Sequence, residues 1–538
     1  MSGISPAADL CRPAVPRGAT GLAWAGLLLR TVRGACLLWV FLLAGCAQLP
    51  TLQGRSQSVA LQHTQDTALG REFVPLARQH PGKSGVIALA DGPAAFATRL
   101  WLAQMAQRSL DVQYYIWHDD IAGIMLFDAL RRAAQRGVRV RLLLDDNEAG
   151  NLDGILAALA AQPNIQVRLF NPFLHRHWRF LDYLTDFSRL NRRMHNKSFT
   201  ADNQATIIGG RNIGDEYFGA GQDFLFVDLD VMAIGPVVKA VSHDFDRYWA
   251  SASAYPVGRI LPPAAPGAAA VLAAHAAQLR KEPVGRAYLR TLAHLPLPEE
   301  LRSHHPPFEW AVTHMVSDDP AKGLGQAPAD EMMPAKLDSI LGTPKHEMQL
   351  VSPYFVPTAG GARYFEDLAR KGVKVTILTN SLEATDVAVV HAGYAKWRKP
   401  LLRAGVKIYE MKREFSGPQP RYRNLTGRSA SSLHAKTISV DRSRIFIGSF
   451  NFDPRSAKLN TEMGFVIDSA DMARAIPEAL GGSVLVRAYR VRLSPQGKLQ
   501  WVEHKGKKII VYDTEPGTSF WLRLGVSTLS VLPIDWML

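Results

Sequence analysis

The chain has 538 residues, more than one ordinary core holds, so two domains with additional segments are expected. Its composition, 47% hydrophobic and 20% charged, is that of a globular protein. The formal net charge is +14, of which +11 remains after residue 45, and such a balance favours anionic partners, either nucleic acid or acidic lipid surfaces.

The cysteines Cys11, Cys36 and Cys46 all lie in the first tenth of the chain. The rest can hold neither a disulfide nor a cysteine metal site, which fits an oxidising compartment such as a periplasm. Arg30 and Arg33 precede "GACLLWVFLLAGCAQLP", a basic region followed by a short apolar run and small residues. "LAGC", Leu43 to Cys46, resembles the lipobox of bacterial lipoproteins. That resemblance implies a signal peptide over 1–45 and a lipid on Cys46, hence a cell-envelope protein anchored by lipid and facing the periplasm. Residues 46–85 then form an N-terminal segment.

The chain next repeats itself, the sign of two copies of one unit. "SLDVQYYIW" (Ser109–Trp117) alternates like a strand, "GIMLFDALRRAAQRG" reads as a helix, and "VRVRLLLDD" as a second strand. In the second half "EMQLVSPYFVP", "ARYFEDLARKG" and "VKVTILTN" follow in the same order. Strands alternating with helices predict α/β layers around mostly parallel sheets. The predicted units span 86–253 and 311–495. Between them, 254–310 is rich in Ala and Pro and reads as a helical linker or insertion. Residues 496–538 form a C-terminal segment whose apolar Trp521, Leu524, Leu529, Leu532 and Trp536 suit either a core-completing element or an interfacial segment beside a membrane.

Each unit carries one His-x-Lys-x4-Asp trio: His195, Lys197 and Asp202, then His434, Lys436 and Asp441. Tyr114 precedes the first histidine by almost the same length of chain as Tyr354 precedes the second. Gly209 and Asn212 follow His195 at the same spacings at which Gly448 and Asn451 follow His434. Residues two apart on a strand share a face, so each histidine points with its lysine. Each aspartate falls on the other face or in the next turn, where it braces backbone. A hairpin of this size returns each glycine and asparagine towards its own histidine.

Two imidazoles, two ammonium groups and two amides around one point suit a phosphodiester. The lysines and amides neutralise the non-bridging oxygens. One histidine attacks phosphorus and the other protonates the leaving oxygen, giving a phosphohistidine that water or an alcohol then displaces. The lysines supply the positive charge, so neither metal nor cofactor is called for. A nucleophilic imidazole needs its second nitrogen held by an acceptor. In the second unit Glu462 follows His434 in "LNTEMGFVI". The first unit offers Asp223 and Asp228, and Asp228 fits better because "DLDVMAIGP" reads like the strand in "EMGFVID".

These residues resemble the phospholipase D superfamily, marked by a doubled His-Lys-Asp motif with Gly and Asn downstream, over nearly all of 86–538. The resemblance implies two similar phospholipase D-like α/β units with one active site at their pseudo-twofold interface. It implies His195 as nucleophile, His434 as general acid, and Lys197, Lys436, Asn212 and Asn451 on the phosphate, with Gly209, Gly448 and Ser449 beside them. Gly210 stands where that pattern has Ser. "RLNRRMHNKSF", "GGRNIGDEYF", "NSLEATDVAVVHAGYAKWR" and "EPGTSFWLRLGVSTLSVLPIDWML" are similar to the third class of bacterial cardiolipin synthases. That class implies transfer of a phosphatidyl group onto phosphatidylglycerol, with phosphatidylethanolamine as a donor, at a membrane surface.

Hydrolysis to phosphatidic acid, with water as acceptor, uses the same site. A nucleic-acid phosphodiesterase is permitted by the charge, but the lipobox, the apolar tail and the paired motif in one chain favour lipid, and no nucleic-acid partner is expected. A binding protein with a dead site fits poorly with two complete trios. The sequence names no accessory protein. His118 reads as a loop residue or a substrate contact, His391 and Tyr394 as packing or headgroup residues, and the adjacent His304 and His305 as loop.

Overall fold

A computed structural model describes residues 48–221, 225–301, 306–385, 387–413, 431–481 and 486–532. The segment 1–45, Cys46, Asp223, His304, His305 and Trp536 lie outside the described residues. The helices and strands described here belong to the compact unit from Pro50 onward.

The repeat seen in sequence is a repeat in space. Ser109–Tyr114 is buried at every position and pairs in parallel with Arg139–Asp145, which pairs in parallel with Ile165–Phe170. The helix between the first two strands, Ile121–Gln135, starts at Asp120, whose side chain accepts from the Gly123 N–H. It ends just before Gly137, whose φ of 93° a side chain would resist. After the third strand the chain returns as an antiparallel hairpin, Ser198–Ala201 and Ala205–Gly209, turning through Asp202 and Asn203 with φ of 51° and 52°. In the second half Glu347–Val351, Lys374–Asn380 and Lys407–Met411 run in parallel, and the hairpin is Thr437–Val440 with Arg444–Gly448. Its turn residues, Asp441 and Arg442, have φ of 50° and 52°.

Among the described residues these strands belong to sheets of nine and ten strands. The first runs, edge to edge, Glu309–Ala311, Ser84–Leu89, Asp230–Ile234, Ala205–Gly209, Ser198–Ala201, Ser109–Tyr114, Arg139–Asp145, Ile165–Phe170, Ala254–Pro256. The second keeps the same sequence of central strands and adds the hairpin Leu499–Lys505 and Lys508–Tyr512 at one edge. Most helices cover one face of each sheet, while the helix Pro236–Ala250 packs through Phe245, Tyr248 and Trp249 on the other face of the first. The other faces meet: Val86, Ile208 and Val231 of the first share a core with Ile445, Ile447 and Phe465 of the second.

The Ala- and Pro-rich segment 254–310 belongs to the first half. Its end strands close both edges of that sheet, and Leu272, Ala276, Tyr288 and Leu292 of its helices join that half's core. In the C-terminal segment the helix Phe520–Ser530 rests on the helix Ala388–Ala395, with Val526 packed against Leu382 and Ala392.

Candidate active site

The residues before each hairpin leave their own sheet and reach across to the other half. Met194 bridges Thr461, the His195 N–H donates to the Thr461 carbonyl at 2.9 Å, and the Thr461 N–H returns to the Arg193 carbonyl at 2.9 Å. On the other side Ser431–Leu433 pairs in parallel with Leu225–Val227, and the His434 N–H donates to the Val227 carbonyl at 2.8 Å. The acids Glu462 and Asp228 are the next residues along these two partner segments. Each therefore serves the histidine of the opposite half. His195 Nδ1 lies 2.8 Å from Glu462 Oε2, and His434 Nδ1 lies 2.6 Å from Asp228 Oδ2. Glu462, which belongs to the same half as His434, thus holds His195. A hydrogen on Nδ1 pointing at each acid leaves the Nε2 lone pair for chemistry.

Both lysines are buried and turn back on their own histidines. Lys197 Nζ donates to the His195 carbonyl at 2.7 Å. Lys436 Nζ donates to the His434 carbonyl and lies 3.0 Å from His434 Nδ1. Aromatic rings wall the site: Tyr115 stands edge-on to His195 at 5.1 Å, while Tyr217 and Phe226 lie 5.3 and 4.9 Å from His434. These rings carry no spacing signal in the sequence, although Tyr115 directly follows the strand that ends at Tyr114.

Charge differs between the two pairs. Burial, then Lys197, Lys436 and His434, hold the His195 pKa well below its ordinary value, so its imidazole is neutral. Burial and Lys436 also lower His434, against the pull of Asp228. Burial lowers Lys197 well below the usual ammonium range, against Glu462. Glu462 is pushed up to about 8 by burial, which Lys197 and Ser449 only partly offset. Burial pushes Asp228 up too, but His434, Lys436 and Arg211 overcome it and hold its carboxyl at about 2. At neutral pH His434 faces an anion, and the acid facing His195 is held much closer to its neutral form.

The aspartates of the two trios brace backbone, as expected, whereas the glycines and Ser449, read as phosphate-binding, sit otherwise. Asp202 accepts from the backbone N–H groups of Gln107, Arg108 and Ser109, at 2.9, 2.7 and 2.9 Å. Asp441 does the same for Lys345, His346 and Glu347, at 2.9, 2.7 and 2.9 Å. Their carboxylates are committed to the start of a central strand, so they brace the sheet and are not reacting groups. Gly209 and Gly448 do not open towards a phosphate. A Cβ on Gly209 would come 2.3 Å from Asp230 Oδ1, and one on Gly448 would come 2.4 Å from the Met463 carbonyl. They allow neighbouring strands to close up. The Ser449 hydroxyl donates to Glu462 Oε2, which makes it a partner of the acid. Asn212 accepts from the Ile116 N–H at 3.2 Å and donates to Tyr217 Oη at 3.0 Å. Asn451 is buried.

Behind the site, Asp145 accepts from Arg193 Nε at 2.8 Å and from the Met194 N–H at 2.7 Å, fixing the strap that carries His195. Asp318, paired with Lys322 at 2.8 Å, accepts from the Glu462 N–H at 2.8 Å. His391 and Tyr394 belong to a buried network with Arg398, Glu410 and Glu515, which pins the C-terminal segment. His118, Asp120 and Glu216 bring their ligand atoms within 4.8 Å of one another. The Asp120 oxygens are already committed to the Gly123 and Asp215 N–H groups, and His118 to Glu216.

A family model described as cardiolipin synthase, phospholipase D-like domain, matches residues 101–249 and 337–480. The chain is 52% identical over 472 residues to cardiolipin synthase C of Escherichia coli (strain K12), covering 87% of this chain and 99% of that protein. It is 32% identical over 517 residues to an uncharacterized protein of Helicobacter pylori (strain ATCC 700392 / 26695), covering 92% of this chain and 98% of that one. The phosphatidylserine synthase of Haemophilus influenzae Rd KW20 shares 15% identity at a TM-score of 0.49, over 76% of this chain and 87% of that structure. With two matched domains filling more than half its length and a relative this similar along nearly all of it, the chain belongs to the cardiolipin synthase family of phospholipase D-like proteins.

Proposed function

We propose that this chain is a phospholipase D-type phosphatidyltransferase that joins a phosphatidyl group to phosphatidylglycerol and so makes cardiolipin. The observation that carries the reading is the pair of buried imidazoles, each held by an acid from the opposite half and flanked by its own lysine.

His195 Nε2 attacks the phosphorus of the donor lipid. The bond from phosphorus to the headgroup oxygen breaks, and His434 gives that oxygen a proton. A phosphatidyl group is then bonded to His195. The hydroxyl of phosphatidylglycerol enters, His434 takes its proton, and the new P–O bond releases His195. The charge pattern supports these roles. The anionic Asp228 favours a proton on His434 once a phosphodiester brings its negative charge, while the neutral Glu462 leaves His195 an uncharged nucleophile. Lys197 and Lys436, held against the carbonyls of their own histidines, stand beside the two imidazoles and are proposed to turn their charge to the transferred oxygens.

Phosphatidylethanolamine is the proposed donor, and the membrane is reached through a lipid on Cys46 in an envelope protein facing the periplasm. The similarity to cardiolipin synthase C supports the lipid chemistry, and "LAGC" supports the anchor.

The test uses vesicles of phosphatidylglycerol with and without phosphatidylethanolamine, with products read by mass spectrometry. Cardiolipin is expected from the wild type and not from His195→Ala. Ethanolamine release names phosphatidylethanolamine as donor, and glycerol release names phosphatidylglycerol. Phosphatidic acid without cardiolipin would make the enzyme a hydrolase. Cys46→Ser is expected to release the protein from membranes or leave it uncleaved, and an unchanged lipid-modified product would contradict the anchor.

A further inference from the structure

In a chain that is 20% charged, two parts of the surface expose large apolar side chains with hardly a free charge among them. The first follows the strand Ile165–Phe170. Trp178 and Leu184 are 63% and 70% exposed, and Phe180 and Phe187 stand beside them. The charges between them are paired: Arg179 with Asp146, Asp182 with His175, and Asp186 with Arg189. The second is the helix Phe520–Ser530 and the residues after it. Trp521 and Val531 are 76% and 80% exposed, with Phe520, Leu524 and Leu532 alongside. From Ser519 to Leu532 the one charged residue is Arg523, which turns back to the Thr518 carbonyl at 2.7 Å. Patches of this kind are rare on a protein surface that meets only water.

Their position ties them to the site. The chain leaves each parallel strand at its C-terminal end, and both histidine straps lie at those ends. In the first half Tyr183, whose ring is 6.3 Å from that of Phe187, donates from Oη to Asn147 Oδ1 at 3.0 Å. Asn147 Nδ2 lies 3.5 Å from Tyr115 Oη, and the Tyr115 ring borders His195. In the second half the Phe520 helix packs on Ala388–Ala395, which follows the strand Lys374–Asn380. Asn380 Nδ2 in turn donates to the carbonyl of Leu433, the residue before His434. Each half thus carries one apolar patch on the elements that lead to its own histidine.

We propose that the two patches are a bipartite membrane-docking surface, which dips into the headgroup region of an anionic phospholipid bilayer and holds the site over it. This rests on the lipid-transfer reading above. Tryptophan and phenylalanine with leucine and valine, free of charge, suit the depth just below phospholipid headgroups. The chain after residue 45, at +11, is drawn to a negatively charged lipid surface. Among the described residues no helix is long and apolar enough to cross a membrane, so the contact made here is one of surface insertion.

The test is hydrogen exchange of the full-length protein on vesicles of phosphatidylglycerol and phosphatidylcholine, together with two double variants, Trp178→Ser/Phe180→Ser and Trp521→Ser/Leu524→Ser. Vesicles should protect peptides covering 177–188 and 519–532. Each double variant should lower turnover of vesicle lipid roughly tenfold or more at limiting vesicle concentration, since each large side chain withdrawn from water is worth about that factor. Turnover of short-chain, monomeric phospholipid should stay at the wild-type level. Absence of protection on vesicle-bound protein would overturn the proposal, as would equal losses on vesicle and monomeric lipid. Protection that arises at high protein concentration without vesicles would assign the patches to a second copy and overturn it as well. Protection on vesicles with no turnover of either lipid form would keep the docking surface and overturn the lipid-transfer reading instead.

Discussion

In the first half the acid Asp228 sits behind Gly210, and in the second the acid Glu462 sits behind Ser449. The shorter acid crowds its neighbour: a Cβ on Gly210 would come 2.1 Å from Asp228 Oδ1. The longer one is met by the Ser449 hydroxyl. Everything beneath is duplicated closely. Both aspartate braces accept their three N–H groups at the same 2.9, 2.7 and 2.9 Å, and the turn residues have nearly equal φ. A scaffold copied this faithfully shows that the two acids are where the halves part. Asp228 is held ionised while burial pushes Glu462 towards its neutral form, and we propose that this difference makes His434 the proton carrier and His195 the nucleophile.

The largest losses are expected at the histidines. His195→Ala and His434→Ala should each lower phosphatidyl transfer by roughly 10³-fold or more, read as cardiolipin formed per minute. A His434→Ala enzyme should recover part of its first step with a donor whose leaving group needs no proton, and His195→Ala should not. Next come the acids. Asp228→Asn removes an anion beside His434 and should cost roughly 10²-fold in turnover, whereas Glu462→Gln replaces an acid already protonated at neutral pH and should cost less. Equal losses would mean that the two acids do the same work. Gly210→Ser tests the packing behind this. The added side chain must displace Asp228, so its loss of turnover should approach that of Asp228→Asn.

Stability should separate the acids by sign. The Glu462 carboxyl titrates at about 8 in the fold against an ordinary 4.5, so the folded protein holds a proton that the unfolded chain releases in between. Its contribution to stability therefore falls as pH rises from about 4.5 to about 8. Asp228 titrates at about 2 against 3.8, so its contribution is complete above 3.8 and is lost as pH falls towards 2. Denaturant midpoints measured from pH 5 to about 8 should decline with pH, and Glu462→Gln should flatten the decline. The braces give the smallest contrast. Asp202 is fully buried and Asp441 partly exposed, so Asp202→Ala should cost roughly 3 kcal/mol from N–H groups left without acceptors, and Asp441→Ala less. Calorimetry on the two variants reads this directly.

Much of this is legible in the sequence. The trios, the matched spacings of Gly and Asn behind each histidine, and "RGVRV" answering "KGVKV" are local patterns, and local patterns survive in sequence as repeats. The parallel strands and the bracing aspartates follow from period-two alternation and from a turn that falls shortly past each lysine. The crossing of the acids does not. His195 and Glu462 are 267 residues apart and meet because straps from both halves pair across the dyad, a long-range pairing that no local pattern records. The roles of Gly209 and Gly448 escape the sequence for a similar reason, since a glycine beside a site and a glycine between two strands look alike until the neighbouring strand is in place. The segment 254–310 reads as a helical linker or insertion because Ala and Pro carry little periodicity. Tyr288 and Leu292 reveal its attachment to the first half only once a core exists to receive them.

The most direct measurement is to quench the full-length enzyme during turnover of phosphatidylglycerol and phosphatidylethanolamine vesicles and map the phosphorylated residue by mass spectrometry. A phosphatidyl group is expected on His195, accumulating in His434→Ala with an activated donor and absent in His195→Ala. A phosphatidyl group on His434, or one that persists in His195→Ala, would contradict this assignment.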